Sequence, residues 1–149
     1  MNILIATDGS EYSKSAVETA AEHLWPAGSQ LRVISVVDPP IPIGGEIYMM
    51  DMNIYEEAAK VQREQAQRFV EDAAVVIRKG INNQNVSVSV DVLTGSANRR
   101  IVEEAEEWGA DLIMLGSHGY KIWERVLLGS VSLSVAQHAK CSVWIVRLQ

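Results

Sequence analysis

The sequence predicts an α/β fold, an open parallel sheet with helices on both faces. Three observations predict it. Short apolar runs alternate with amphipathic stretches in the order β-α-β-α-β-α-β-α-β. Most of the runs are apolar throughout or rich in β-branched residues, as strands buried on both faces are. The length, 149 residues, suits one domain, expected to span residues 1–149.

Each element has a local reason. Ile3, Leu4, Ile5 and Ala6 form a first strand that runs into the turn Thr7-Asp8-Gly9-Ser10. From Ser13 onward, Val17, Ala20, Ala21 and Leu24 share one helical face; Ser10 caps this helix, and Pro26 with Gly28 ends it. Residues 31–37 form a β-branched second strand. A longer helix covers residues 54–79, with the stripe Ala59, Ala66, Phe69, Val70, Ala73 and Ile77 and a stop at Gly80. Val86, Val88, Val90 and Val92 alternate with Ser87, Ser89 and Asp91, the pattern of a strand near a sheet edge.

Ser96 opens a third helix and Gly109 closes it. Ile101, Val102, Ala105 and Trp108 lie on one side of it, and Glu103, Glu104, Glu106 and Glu107 read as a solvated face. Residues 112–115 form the fourth strand. A fourth helix begins near Gly129-Ser130 and ends around His138, and residues 143–146 form the last strand. Residues 38–53 carry Pro39, Pro40, Pro42, Gly44 and Gly45, then Ile47, Tyr48, Met49, Met50 and Met52. Their apolar tail suits a lid or an interface element; an ordinary mobile loop is the alternative.

Charge and cysteine usage narrow the function. Thirteen Lys and Arg against nineteen Asp and Glu leave a net charge of −6. Such a surface repels nucleic acid and anionic lipid, so neither is an expected partner. One cysteine makes no internal disulfide and suits a reducing cytosol. The first apolar run has no basic flank and meets Asp8 too soon for a signal peptide or a spanning helix, so a cytoplasmic location is expected. Asn85-Val86-Ser87 matches a glycosylation sequon by chance. Neither a phosphate-gripping Gly-x4-Gly-Lys-Ser/Thr nor a Gly-x-Gly-x-x-Gly after the first strand occurs. The metal spacings Cys-x-x-Cys and His-Glu-x-x-His are also missing.

In an open α/β sheet, ligands bind beyond the carboxyl ends of the strands, where the winding reverses. The loop after Leu115 is the most informative there. It reads Gly116-Ser117-His118-Gly119 and then, after nine residues, Gly129-Ser130-Val131-Ser132. Glycines let backbone N–H groups approach a ligand, and hydroxyls with a helix start suit phosphate oxygens.

The spacing Gly116-x2-Gly119-x9-Gly129-Ser130 resembles the nucleotide-binding signature of the universal stress protein family. Leu4-Ile5-Ala6-Thr7-Asp8-Gly9-Ser10, Val33-Ile34-Ser35-Val36-Val37-Asp38 and Ala110-Asp111-Leu112-Ile113-Met114-Leu115 resemble that family's strands, and the likeness covers the whole chain. It implies the strand order 3-2-1-4-5 and ATP, with Mg²⁺, bound at the rim of strands 1 and 4. Carried over, Ala6, Thr7 and Asp8 border the adenosine and Val36 lies against adenine. Gly116, Ser117, His118 and Gly119 line the ribose and phosphates, and Gly129, Ser130, Val131 and Ser132 hold the phosphates. The likeness further implies a homodimeric stress-response sensor paired through Val143, Trp144, Ile145 and Val146. Ala6 departs from the family, where many members have proline, and residues 120–123 are bulkier than usual.

Several residues keep two readings. His118 is a general base for slow ATP hydrolysis or nucleotide transfer, or it orients the loop or contacts the nucleotide without chemistry. Lys121, Arg125, Arg99 and Arg100 neutralise phosphate or are solvated charges. Asp8 helps hold Mg²⁺, or the nucleotide alone carries the ion. Tyr120 and Trp123 recruit a partner or pack on their own loop. Trp144 anchors a dimer seam or is buried under a helix. Cys141, His23 and His138 read as structural. A nucleotide-free interaction protein on the same fold is the remaining alternative.

Overall fold

Five parallel strands form one sheet in the order β3-β2-β1-β4-β5, as the family resemblance implies. The computed structural model describes residues 1–38, 52–81, 85–119 and 128–148. Along the chain run β1 (Asn2–Ala6), α1 (Glu11–Glu22), β2 (Gln30–Val37), α2 (Met52–Gly80), β3 (Ser87–Thr94), α3 (Ala97–Trp108), β4 (Leu112–Gly116), α4 (Ser130–His138) and β5 (Ser142–Val146). β1 lies in the middle, with Ile5 opposite Val33 of β2 and Met114 of β4. The winding reverses between β1 and β4, so their carboxyl ends open a crevice.

Strand alternation divides the core into two layers. Ile3, Ile5, Leu31, Val33 and Met114 pack beneath α1 and α2 with Val17, Ala20, Val70 and Ile77. Leu4, Ile34, Ile113 and Leu115 pack on the other face with Ile101, Ala105 and Val135 of α3 and α4. Among the described residues, no helix is long and apolar enough to cross a membrane. Residues 39–51 and 120–127 lie outside the described residues. The lid reading, apart from Asp38, Met52 and Asn53, and the readings of Tyr120, Lys121, Trp123 and Arg125 therefore fall there.

Local physics corrects two expectations. The first helix stops at Glu22, and His23 follows in extended geometry (φ −74, ψ 143). Leu24 therefore leaves the helical face and is 81% exposed. Trp25 turns inward instead, and its indole N–H donates to the Ala20 carbonyl at 2.9 Å. Ser96 opens α3 as its N-cap, as the sequence predicts, with no side-chain cap hydrogen bond. Its hydroxyl donates to Asn98 Oδ1 at 2.7 Å.

The second correction concerns the glutamates of α3. Glu104 is buried rather than solvated. Arg32 of β2 reaches Glu104 Oε1 at 2.9 Å and Asp91 Oδ2 of β3 at 2.8 Å. The guanidinium also lies 5.8 Å from the centroid of the Trp108 ring. A carboxylate survives burial when paired and hydrogen-bonded, and Arg supplies a planar fork for two acceptors at once. Arg99 and Arg100 pair with Glu103 at 3.1 and 2.7 Å. That hydrogen bond raises the Arg100 pKa above its ordinary value.

Arg32→Ala should destabilise the fold by about 2 kcal/mol, because it leaves the buried Glu104 to the more distant Arg100, at 3.9 Å; a partly exposed partner keeps the loss below the ~3–5 kcal/mol of fully buried pairs. Glu106→Ala removes only the exposed 3.0 Å pair with Lys140 and should cost no more than ~1 kcal/mol. Urea unfolding of both variants checks the contrast.

Candidate functional site

The site begins with the turn after β1. Thr7 N–H donates to Ile34 O at 2.9 Å and so continues the pairing with β2. Asp8 Oδ1 then accepts from Ser10 N–H at 3.0 Å and from Ser10 Oγ at 2.6 Å. This Asx-type closure turns the chain into α1 within two residues. Ser10 Oγ accepts from Ser13 N–H at 3.3 Å and caps the helix, as the sequence predicts. Thr7 Oγ1 and Ser13 Oγ lie 3.1 Å apart beneath the turn. Gly9 has φ +77, where a side chain is strained, and the Phe69 ring of α2 occupies the space a Cβ would need.

The second wall is the segment after β4. Ser117 N–H donates to Val146 O of β5 at 2.8 Å, and Ser117 O accepts from Gly129 N–H at 2.8 Å. Ser132 Oγ donates to Gly116 O at 2.8 Å. These bonds hold the start of α4 directly beside residues 116–119. Gly129 is the N-cap of α4 and makes no side-chain cap. The amides of Ser130, Val131 and Ser132 belong to the first turn, where no carbonyl of the same helix can accept from them. His118 Nδ1 lies 3.1 Å from Ser117 Oγ, and its ring sits 5.1 Å from that of Tyr12.

Between the walls lies a cleft with about 520 Å³ of free space, open to solvent. Ala6, Thr7, Asp8 and Val36 line it, as do Gly116, His118, Gly119, Val131 and Ser132. Ser117, Gly129 and Ser130 of the expected set do not line it. Ser117 is buried beneath it, and Gly129 braces the loop. Five further lining residues escaped the sequence reading: Ser13, Ile34, Ala97, Ile101 and Leu115. Strand period two from Val36 to Ile34, and the four-residue helical step from Ala97 to Ile101, are the signals that point to them.

The cleft is chemically two-sided. Ile34, Val36, Ala97, Ile101 and Leu115 make an apolar wall, while Asp8, the segment after β4 and the first turn of α4 make a polar one. A helix N-terminus attracts an anion, and a flat apolar group suits the other wall. Asp8 is the carboxylate of the described lining, and no cluster of three metal-ligating side chains occurs among the described residues. Elsewhere, burial pushes the Cys141 thiol pKa up, and Cys141 packs against the second core layer. The His23 ring meets Trp25 tilted at 4.4 Å and Trp144 edge-on at 5.4 Å between centroids. His138 Nδ1 lies 2.8 Å from Ser134 O.

Comparison with known proteins converges on one family. The profile of the Universal stress protein family matches residues 1–147. Universal stress protein Sll1388 of Synechocystis is 33% identical, over 97% of this chain and 96% of its own length. Among solved structures, hypothetical protein MJ0577 superposes with a TM-score of 0.78 at 27% identity, covering 99% of this chain and 96% of that one. A universal stress protein in complex with cAMP (TM-score 0.65, 22% identity, 100% of this chain and 98% of that one) shares the fold. So does an Arabidopsis thaliana family protein with AMP bound (TM-score 0.63, 17% identity, 100% and 92%).

The glycines of the cleft should respond differently to substitution. A Cβ on Gly116 would lie 2.5 Å from the Tyr12 carbonyl carbon and oxygen, and 2.8 Å from Ser13 N. Gly116→Ala should cost about 1–3 kcal/mol, because backbone cannot move aside cheaply. A Cβ on Gly119 meets only Asp8 Oδ2, at 2.9 Å. Gly119→Ala should stay within about 1 kcal/mol of the parent in denaturant unfolding, since a carboxylate can rotate away.

Proposed function

The chain belongs to the universal stress protein family, and from that premise we propose that it binds ATP in this cleft as a homodimeric stress-response module of the cytoplasm. One observation carries the reading. An uncapped helix N-terminus and an apolar wall face one crevice at the point where the sheet's winding reverses. The named cAMP and AMP complexes of relatives support an adenine nucleotide as the ligand class.

Adenine lies against Val36, between Ile34 and Ile101, where its faces leave water. Asp8, whose Oδ1 bonds Ser10, accepts from a ribose hydroxyl or the adenine edge. The phosphates lie over Gly119 and the amides of Ser130, Val131 and Ser132. These backbone donors provide the anion site without a surrounding basic surface, so a net charge of −6 does not oppose it. With one carboxylate in the described lining, the nucleotide's own phosphates carry Mg²⁺ and Asp8 at most adds a water-bridged contact.

β5 lies at the end of the sheet and pairs with β4 on one side only. A row of unpaired strand groups invites a second strand, and a second copy brings the same row. Trp144 is 36% exposed on that strand, which leaves it available to the seam and not buried under a helix.

Isothermal titration with MgATP should show saturable binding, and no binding at millimolar nucleotide overturns the reading. Gly119→Val should weaken binding at least ~10-fold, since a branched side chain would occupy the phosphate approach. Steady ADP release that disappears in His118→Ala would replace a binding module with a slow hydrolase. Sedimentation should show a dimer in the parent and a shift to monomer in Trp144→Lys.

A further inference from the structure

We propose that the groove between α1 and α2 is a second small-molecule site, which takes a flat apolar ring carrying a cationic amine. The groove holds about 510 Å³ of free space, open to solvent. It is separate from the cleft described above. Ile34, Ile101 and Leu115 of that cleft belong to one core layer, whereas Val17 and Ala73 of the groove belong to the other. Among the described residues the two linings share Thr7 alone. The site therefore stands independently of the function proposed above.

Helical spacing builds the groove. Lys14, Val17 and Glu18 share one face of α1, and Phe69, Asp72, Ala73 and Val76 share one face of α2. Val17 and Ala73 form the buried floor, at 4% and 6% exposure. Packed helices normally fill such a seam with interlocking side chains, but the Ala73 methyl is too short to do so. Phe69 does not close the gap from the side, because its ring occupies the space against Gly9. Apolar surface thus reaches water, with Val76 at 41% exposure. A flat ring placed there covers Val17, Phe69 and Val76 and removes that surface from water.

The rim decides the charge of the head group. Lys14 Nζ is bonded to Glu11 Oε1 at 2.7 Å. Glu18 and Asp72 are exposed, and neither makes an ion pair or hydrogen bond. Two carboxylates, one from each helix, therefore line the groove without a counter-ion. An ammonium group there gains both, whereas a carboxylate of the same shape meets two like charges. The net charge of −6 favours encounter with the same cation. Ring burial supplies affinity, and the carboxylates supply selectivity.

Tryptamine is a suitable probe, and indole-3-propionate carries the same ring with the opposite charge. Titrating ¹⁵N-labelled full-length protein with tryptamine should shift the amides of Gly9, Val17, Phe69, Ala73 and Val76 and saturate at low-millimolar concentration, as expected for a ligand of this size. The same shifts should appear with MgATP present. Indole-3-propionate should give no saturable shift. The double variant Glu18→Gln, Asp72→Asn should bind tryptamine roughly 2–10-fold more weakly, the range of two exposed ion pairs. Val76→Lys places an ammonium one helical turn from Asp72, which suits the helix, and should weaken tryptamine at least ~10-fold in a protein whose spectrum stays native-like. Absence of saturable shifts in the parent overturns the site. Shifts centred on Ile34, Val36 and Ile101, or displacement of tryptamine by MgATP, place the amine in the cleft and overturn it also. Equal binding of indole-3-propionate, or unchanged affinity in the double variant, overturns the cationic ligand class. Tryptamine binding in a protein that binds no nucleotide supports this site and overturns only the function proposed above.

Discussion

The site depends on one kind of contact, backbone against backbone with no side chain between. Gly116 ends β4 where α1 begins, and a single carbon on it would strike the Tyr12 carbonyl and the Ser13 amide. Gly129 stands in the same relation to the loop beside it, with its Cβ position 3.1 Å from His118 Cα and 3.3 Å from Ser117 O. Among the described residues positive φ occurs at Gly9, Gly28, Gly95 and Gly109 and at none of Gly116, Gly119 and Gly129. The motif glycines are therefore required for space rather than for conformation. Closeness lets the turn after β1, the segment after β4 and the start of α4 share one cleft.

A second constraint supports the opposite wall. Ile101 and Ala97 present apolar surface only if α3 keeps its place over β2. The Arg32 fork joins Glu104 of α3 to Asp91 of β3 from within β2. Replacing such a pair with apolar residues can be neutral or better for stability, so its worth lies in alignment rather than in net energy. One turn of helix separates Glu104 from Ile101. A slip of α3 would displace the wall of the cleft together with the pair.

The fold was legible because its signals are periodic. Strand alternation along β3 and the apolar runs of β1 and β4 place each core residue in the layer it occupies. The glycine spacing located the cleft for a similar reason, since it marks where chains approach. The failures have two causes, partners distant in sequence and a helix end that the apolar stripe does not announce. Nothing near Glu104 announces Arg32, 72 residues earlier by numbering (104 − 32). Leu24 and Trp25 exchanged roles because one extended residue, His23, ended the helix before the apolar stripe did. The family resemblance implies Ser117 as a lining residue of the ribose and phosphates, whereas the folded chain buries it. Its burial appears only once β5 and α4 are folded against it.

This last difference bears on how a glycine-rich loop holds an anion. A hydroxyl serves a ligand only if the scaffold does not need it first. Here Ser132 Oγ bonds Gly116 O, Ser117 Oγ meets His118, and Ser10 Oγ serves as the α1 cap and bonds Asp8. These three hydroxyls hold the loops in register, while the amides of the first turn of α4 have no acceptor in their own helix. Main-chain donors do not rotate and lose no side-chain entropy when an anion arrives. In such a site the side chains determine where the backbone stands, and the backbone offers the anion its contacts. A substitution that leaves every donor in place can therefore still empty the cleft, by moving the frame on which the donors sit.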